Sequence, residues 1–253
     1  MTANSDYTQA CARCGSLAGP HDIFCGQCGR ELAPALQQAR GDAFAALTPA
    51  LVYYFLTLFL LMVYKFTPAF PSGFEGQVVI SLIDIVIVIA FALHARQDLA
   101  PLFSVSQLRF RLVVLTIAGA LAGSLVIAAL AKFINISISD DVFYDPYLFQ
   151  DTQYPMLISI LFICVQPAIF EELAFRGFLF GNLQRVTSPL GALYISSFLF
   201  GLMHLSYISM IWLVPIGLAF AYLRLRYNTL WYGMIGHFFY NLGITLIEYY
   251  QLF

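Results

Sequence analysis

The chain has 253 residues, of which 60% are hydrophobic and only 10% are charged, and its mean hydropathy is +0.80. Soluble domains carry roughly 25% charged residues, so this composition excludes a soluble globular protein and predicts one that crosses a membrane several times. The net charge of -2 argues against nucleic-acid binding, which requires a basic surface.

Four cysteines near the N-terminus form two Cys-x-x-Cys pairs, and a glycine follows each pair. The pairs are Cys11 with Cys14 and Cys25 with Cys28, separated by ten residues. Two such pairs suit the tetrahedral coordination of zinc. Disulfides are the alternative, but thiols remain reduced in the cytosol. We therefore predict a short ribbon that holds a structural zinc and binds or regulates an unidentified protein partner, because a closed four-cysteine site leaves no position for catalysis.

The composition divides the chain into four parts. The predicted parts are a disordered tail at 1–10, the zinc ribbon at 11–32, a linker at 33–48 and a membrane domain at 49–253. No sustained apolar run precedes the membrane domain, so no signal peptide is expected. The ribbon and the N-terminus are therefore predicted to lie in the cytosol.

Seven apolar stretches follow the linker, each near the length of about 20 residues that a helix needs to cross a bilayer. The predicted spans are roughly 50–66, 77–95, 112–134, a fourth from about 154, then 189–205, 207–223 and 229–250, with a loop at 140–151. The boundary between the fifth and sixth spans is the least defined, so the count is seven or eight. With seven, nearly all Lys and Arg residues of the loops fall on the N-terminal side, which indicates a cytosolic N-terminus and an external C-terminus. The predicted fold class is an all-α polytopic membrane bundle with a small N-terminal four-cysteine zinc ribbon.

Three predicted spans carry polar side chains, which are costly at membrane depth and mark functional sites. Glu172 and Arg176 are four residues apart, so they share a helix face and are expected to form an ion pair. Glu171 has no cation at that spacing and is left free for proton transfer. The later spans contribute His204, His237 and Asn241. Any one of these groups could be an interhelical hydrogen-bond donor or acceptor, whereas the whole set favours hydrolytic chemistry.

These residues lie in three ordered motifs: Glu171-Glu172-x-x-x-Arg176, Phe200-x-x-x-His204 and His237-x-x-x-Asn241. The order of these motifs and their residues resemble those of the CPBP family, which comprises CAAX prenyl endoproteases and bacteriocin-processing or immunity proteins. The resemblance covers about residues 150–250. It implies an integral protein of a bacterial cytoplasmic membrane that cleaves a peptide or protein substrate, lipidated or not.

The resemblance also implies a role for each motif residue in an intramembrane endopeptidase. Glu171 would activate water together with His204. His237 and Asn241 would stabilise the oxyanion, while Glu172 and Arg176 would support the first carboxylate. Members of the family are often catalogued as metalloproteases whose histidines hold zinc. The chain lacks a compact His-Glu-x-x-His motif, so both a metal-dependent and a glutamate-dependent mechanism stay open.

Two other functions compete with the protease. One is a non-catalytic membrane scaffold or bacteriocin-immunity protein on the same fold. The other is a transporter whose buried polar groups carry protons, which the lack of a visible inverted repeat makes less favourable. Asp84 and Cys164 lie outside the motifs, and we expect them to serve in a structural hydrogen bond and in packing, respectively.

Overall fold

The computed structural model describes most of the chain, at residues 9–19, 22, 24–32, 40–71, 73–138 and 149–252; the side chains of 9, 40–44, 46 and 134–138 are outside this description. Three predicted segments lie partly or mostly outside the described residues. They are the disordered tail at 1–10, the linker at 33–48 and the loop at 140–151.

The N-terminal cysteine module folds as a small two-stranded unit. Strand β1 (Gln9–Ala10) pairs antiparallel with β2 (Leu17–Ala18), so that the first Cys-x-x-Cys pair lies in the connecting turn. An isolated bridge between Phe24 and Glu31 brackets the second pair in the same way. The module has its own core, formed by buried side chains at Cys11, Ala18, Cys25 and Leu32.

Seven long helices make up the rest of the described structure. They are α1 (Arg40–Phe66), α2 (Phe74–His94), α3 (Phe110–Ile138), α4 (Pro155–Leu183), α5 (Pro189–Met203), α6 (Met210–Tyr227) and α7 (Trp231–Tyr249). A short helix (Arg96–Leu99) and two 3₁₀ turns (Ala100–Phe103 and Val105–Gln107) connect α2 to α3. The predicted fold class is confirmed, and α1 begins within the predicted linker.

Length and composition allow five of the described helices to cross a membrane: α1, α2, α3, α4 and α6. The other two are shorter or more polar. Helix α5 has only 15 residues, which is a little less than a bilayer requires. Helix α7 has 19 residues, but His237 and Asn241 lower its apolar character. The short helix α5 and the more polar helix α7 both belong to the region that carries the polar motifs.

Small residues allow the helices of the bundle to approach each other closely. A Cβ atom at Gly201 of α5 would lie 2.8 Å from Val214 Cγ2 of α6, and one at Gly236 of α7 would lie 2.9 Å from Phe220 Cε1. Glycine at such positions is typical of helix packing in membranes, where lipid provides no hydrophobic drive between helices. The resulting bundle buries aromatic rings at its centre, among them Tyr53, Phe175 and Phe200.

Helix α4 is not a regular α-helix, and its irregularity places the acidic residues. It runs as α over Pro155–Ser159, π over Ile160–Val165, α over Gln166–Glu171, π over Glu172–Leu179 and α over Phe180–Leu183. Pro167 lies just after the first π segment, and it has no N–H to continue the α-helical pattern. Insertions of π-helix are frequent at functional sites, and here Glu171 and Glu172 stand where the second one begins.

Candidate active site

The centre of the site is a buried ion pair with a histidine on one side. Glu172 and Arg176 are 0% and 1% exposed, and Glu172 Oε1 lies 2.8 Å from Arg176 Nη1. The same oxygen is 3.1 Å from Nδ1 of His237 on α7. The predicted ion pair is therefore present, but its carboxylate also binds His237, which the sequence did not indicate.

Aromatic rings enclose the guanidinium of the ion pair. Arg176 Cζ lies 4.3 Å from the ring centroid of Phe200 and 5.5 Å from that of Phe220. Its Nη2 donates to the carbonyl of Gly217 at 3.4 Å. Ring faces attract cations, and more strongly where water is excluded. Phe200, four residues before His204, thus contributes a wall of the site.

Glu171 is the more accessible of the two carboxylates. Its side chain is 27% exposed, whereas Glu172 is fully buried, and its Oε2 lies 3.9 Å from Nε2 of His237. This separation is too long for a direct hydrogen bond. Oε2 is buried and has no hydrogen-bond partner among the described residues, so a water molecule that bridged it to His237 would satisfy it. Glu171 therefore meets the geometric requirement for a general base, which must reach the proton that it removes.

The contacts of His237 fix the position of one of its protons. A carboxylate oxygen only accepts, so Nδ1 must donate to Glu172. His237 then presents Nε2 toward Glu171, as a lone pair when the ring is neutral and as an N–H when it is cationic. In the cationic form, His237 could donate a hydrogen bond from Nε2 to negative charge that develops beside Glu171.

His204 lies at the edge of this group. Helix α5 ends at Met203, and His204 is the exposed residue that caps it. Its Nδ1 is 3.0 Å from the carbonyl of Phe200, so Nδ1 donates to that carbonyl. Phe200 packs against both histidines, with centroid separations of 5.1 Å to His204 and 6.1 Å to His237. The Phe200 ring therefore lies between His204 and His237 in this chain of ring contacts.

The turn after His204 has an unusual backbone conformation. Leu205 has φ of 51°, a value that is costly for a leucine. Lys65, in the last turn of α1, donates to the carbonyl of Leu205 at 3.1 Å. This contact holds the turn, and hence His204, against the end of α1.

Asn241 lies one helical turn beyond His237 and contacts the backbone of α4. Its Nδ2 donates to the carbonyl of Ile163 at 2.7 Å. Asn241 is therefore attached to the first π segment, several residues before the carboxylates, and the same nitrogen keeps one further hydrogen for another acceptor.

A glycine permits the close approach of α7 to the buried carboxylate. A Cβ atom at Gly233 would lie 2.5 Å from Oε2 of Glu172. No side chain other than hydrogen fits there without a shift of the carboxylate. Gly233 is a site residue that the motif spacing missed, although it precedes His237 by one turn of the same helix.

With this geometry established, comparison with known proteins identifies the region. Residues 153–243 match the family model described as Type II CAAX prenyl endopeptidase Rce1-like. This part of the chain is similar to that family. The match confirms the resemblance to the CPBP family, and it contains all six motif residues proposed for catalysis. No curated protein and no solved structure matches the chain. The Rce1-like match and the apolar helices together indicate an integral membrane protein.

Two further ionisable groups adjoin the Rce1-like site. Asp84 on α2 interacts electrostatically with Glu171 and with Tyr53; the expected structural hydrogen bond is not found among the described residues.

Arg224 on α6 is 8% exposed, and its Nε donates to the carbonyl of Arg176 at 3.2 Å. Arg224 lies in the last turn of α6, where basic residues are common, so the sequence alone did not indicate its contact with α4. Cys164 is fully buried and lies 3.6 Å from the hydroxyl of Thr245, as expected for a packing residue.

The four N-terminal cysteines lie within reach of one ion. All their sulfur atoms are within 4.8 Å of one another, and the pairs Cys11–Cys28 and Cys14–Cys25 are 3.6 and 3.4 Å apart. Thiolates about 2.3 Å from a tetrahedral zinc would be separated by about 3.8 Å. All four are free thiols, so the structure supports a metal site rather than disulfides.

The two halves of the cysteine module repeat one turn geometry. Gly15 and Gly29 both have φ of 72°, a conformation that glycine adopts without strain. Gly15 donates to the carbonyl of Cys11 at 2.8 Å, and Gly29 donates to that of Cys25 at 2.9 Å. Each turn therefore directs its two sulfurs to the same side, which is the arrangement of a metal knuckle.

Hydrogen bonds make the thiols of the module unequal. Although burial opposes ionisation, the Ser16 hydroxyl and the backbone at Cys28 and Gln27 lower the pKa of Cys25 to about 6. The backbone at Arg30 lowers the pKa of Cys28, but burial and the neighbouring thiols outweigh it and raise the pKa to about 11. A metal ion would therefore meet the Cys25 thiolate at neutral pH and displace a proton from Cys28.

Proposed function

We propose that the chain is an intramembrane endopeptidase of the CAAX-protease type, which cleaves a peptide bond with water activated at Glu171. The observation that carries this proposal is that two adjacent carboxylates differ in burial and in contacts. Glu172 is fully buried and bound to Arg176 and His237, while Glu171 is accessible and faces the same histidine. A packing role would require neither this asymmetry nor a convergence of both carboxylates on one imidazole.

The proposed reaction follows from these positions. Glu171 removes a proton from water, and the water oxygen attacks the scissile carbonyl. When Nε2 of His237 also carries a proton, its N–H stabilises the resulting oxyanion, while Glu172 and Arg176 hold the ring. His204 accepts a hydrogen bond from the water through Nε2. The C–N bond then breaks as Glu171 returns the proton to the leaving amine.

The metal-dependent alternative does not fit the residues around Glu171. Among the described residues, the only group of three or more His, Cys, Asp and Glu side chains with ligand atoms close enough for one ion is the four-cysteine module. Glu171, His204 and His237 do not form such a group. No step of the proposed reaction therefore involves a metal, and the ion assigned to the cysteines, which we propose to be zinc, is structural.

The substrate and the membrane orientation are also part of the proposal. A site within an apolar helix bundle suits a peptide that lies in or at the membrane, lipidated or not. The arginine residues of the N-terminal segment and of the loop after α2 favour a cytosolic ribbon, and we include this orientation in the proposal. There it would bind a protein partner, because its closed metal shell leaves no position for catalysis.

Cleavage of a membrane-associated peptide by the purified full chain tests the proposal. Glu171→Gln preserves size but removes the base, so the rate should fall by about 10²–10⁴-fold without a change in thermal stability. Glu75→Gln, in the first turn of α2, makes the same chemical change outside the site and should leave the rate unchanged. A Glu171→Gln protein that cleaves as fast as the Glu75→Gln control would refute the assignment.

A further inference from the structure

Pro167 interrupts the hydrogen bonding of α4 shortly before the catalytic carboxylates. In an α-helix the N–H of residue 167 would donate to the carbonyl of Ile163, but proline has no N–H. The preceding turn is π-helical, and Gln166 donates to Leu161, five residues earlier. The carbonyl of Ile163 thus loses its usual α-helical donor at the depth of the site, where water is scarce and an unbonded carbonyl is costly.

Asn241 supplies a donor to this carbonyl from another helix. Its Nδ2 lies 2.7 Å from Ile163 O, which is a short and favourable distance for N–H···O. The same α7 carries His237, one turn earlier, and His237 binds Glu172 on α4. The two contacts therefore connect α7 to α4 on both sides of Pro167.

We propose that Asn241 is a positioning residue whose amide replaces the N–H missing at Pro167. By holding Ile163 it fixes the broken part of α4 against α7, so that Glu171 and Glu172 meet His237. This assignment differs from a direct role of Asn241 in stabilising the oxyanion. Its effect on catalysis rests on the proposed function, whereas its effect on the helix does not.

A double-mutant cycle between Asn241 and Pro167 tests the proposal in the full-length protein. Asn241→Ala should lower the unfolding temperature by about 2–8 °C, the shift that corresponds to the loss of a donor to a buried carbonyl. It should also lower the cleavage rate by about 10²-fold through misplacement of the carboxylates. Pro167→Ala restores an N–H for Ile163, so Asn241→Ala in the Pro167→Ala background should lose less than half as much on both measures.

Thr245 provides a matched control on the same helix. Its hydroxyl contacts Cys164 Sγ of α4 at 3.6 Å and not the carbonyl of Ile163. Thr245→Val should therefore shift the unfolding temperature equally in the two backgrounds. Asn241→Leu, which keeps the size but has no donor, should behave like Asn241→Ala. If Pro167→Ala does not fold, Pro167→Ser restores the same N–H with a different side chain.

The two measurements separate failure of this inference from failure of the proposed function. If Asn241→Ala abolishes cleavage equally in both backgrounds and leaves the unfolding temperature unchanged, its amide acts on the substrate and the positioning role is wrong. If the parent cleaves no peptide but the unfolding temperatures show the expected coupling, the positioning role stands and the protease assignment fails. Additive shifts of the unfolding temperature would overturn the positioning role.

Discussion

Removal of Glu172 should destabilise the protein because its partner Arg176 is buried and would keep an unpaired charge. In Glu172→Ala, Arg176 would remain 1% exposed. It would keep a long hydrogen bond of 3.4 Å to Gly217 O and the faces of two phenylalanine rings. An uncompensated buried charge costs about 3–5 kcal/mol, and the ring faces should offset part of this. We therefore expect a loss near 3 kcal/mol, or a decrease of about 6–12 °C in the unfolding temperature.

The double substitution Glu172→Leu with Arg176→Met distinguishes the ion pair from general disruption of the core. Replacement of a buried ion pair by apolar side chains of similar volume is often neutral or stabilising. The double variant should therefore unfold at a higher temperature than Glu172→Ala. It should remain inactive, because His237 would have lost the carboxylate that orients it.

Thermal unfolding in detergent, followed by tryptophan fluorescence and checked by peptide cleavage, measures both quantities. Glu171→Ala is the matched control, because it removes an adjacent and more exposed carboxylate that does not form the ion pair. It should abolish cleavage with little change in unfolding temperature. The reasoning is refuted if Glu172→Ala is as stable as Glu171→Ala, or if the double variant is no more stable than the single one.

Three further predictions concern close packing, the metal and a strained turn. Gly233→Ala should lower both stability and activity because its Cβ would lie 2.5 Å from the buried carboxylate, whereas Gly181→Ala, with no atom of the described residues within 4 Å, should leave both unchanged in the same assays. Metal analysis of the full chain should find about one zinc that Cys25→Ser removes and Cys164→Ser does not; equal zinc in the two variants would contradict the ribbon assignment. Leu205→Asn relieves an αL leucine at φ 51° and should raise the unfolding temperature by a few degrees, so an unchanged or lower temperature would show that the turn is not strained.

The helices could be predicted from sequence because each lies in a long apolar run. Seven predicted spans correspond to the seven long helices that the structure describes. The prediction was weakest where polarity interrupts the pattern, as at the end of α5. The fifth span was predicted to run to 205 and to include His204, but the helix ends at Met203. The positive φ of Leu205 ends it, and no glycine marked that position in the sequence.

Spacing within one helix predicted the Glu172–Arg176 pair, since residues four apart are neighbours on a helix. Contacts between helices could not be found in this way. That His237 would bind Glu172, or that Asn241 would bind Ile163, depends on how α7 is rotated and translated against α4. The presence and position of the two π segments in α4 could not be predicted either, because the apolar pattern of a membrane helix continues unchanged through them.

The arrangement of α4 explains how a membrane helix can hold two adjacent carboxylates with different properties. In the structure, Glu171 is the last residue of an α segment and Glu172 the first of a π segment. Glu172 is neutralised by Arg176, and Arg224 holds the carbonyl of Arg176, so the costly charges of the π segment are satisfied within the protein. Glu171 has neither contact and keeps 27% of its side chain exposed. In the proposed mechanism, Glu171 can therefore act as the base because Glu172 is the carboxylate that is bound to Arg176 and His237.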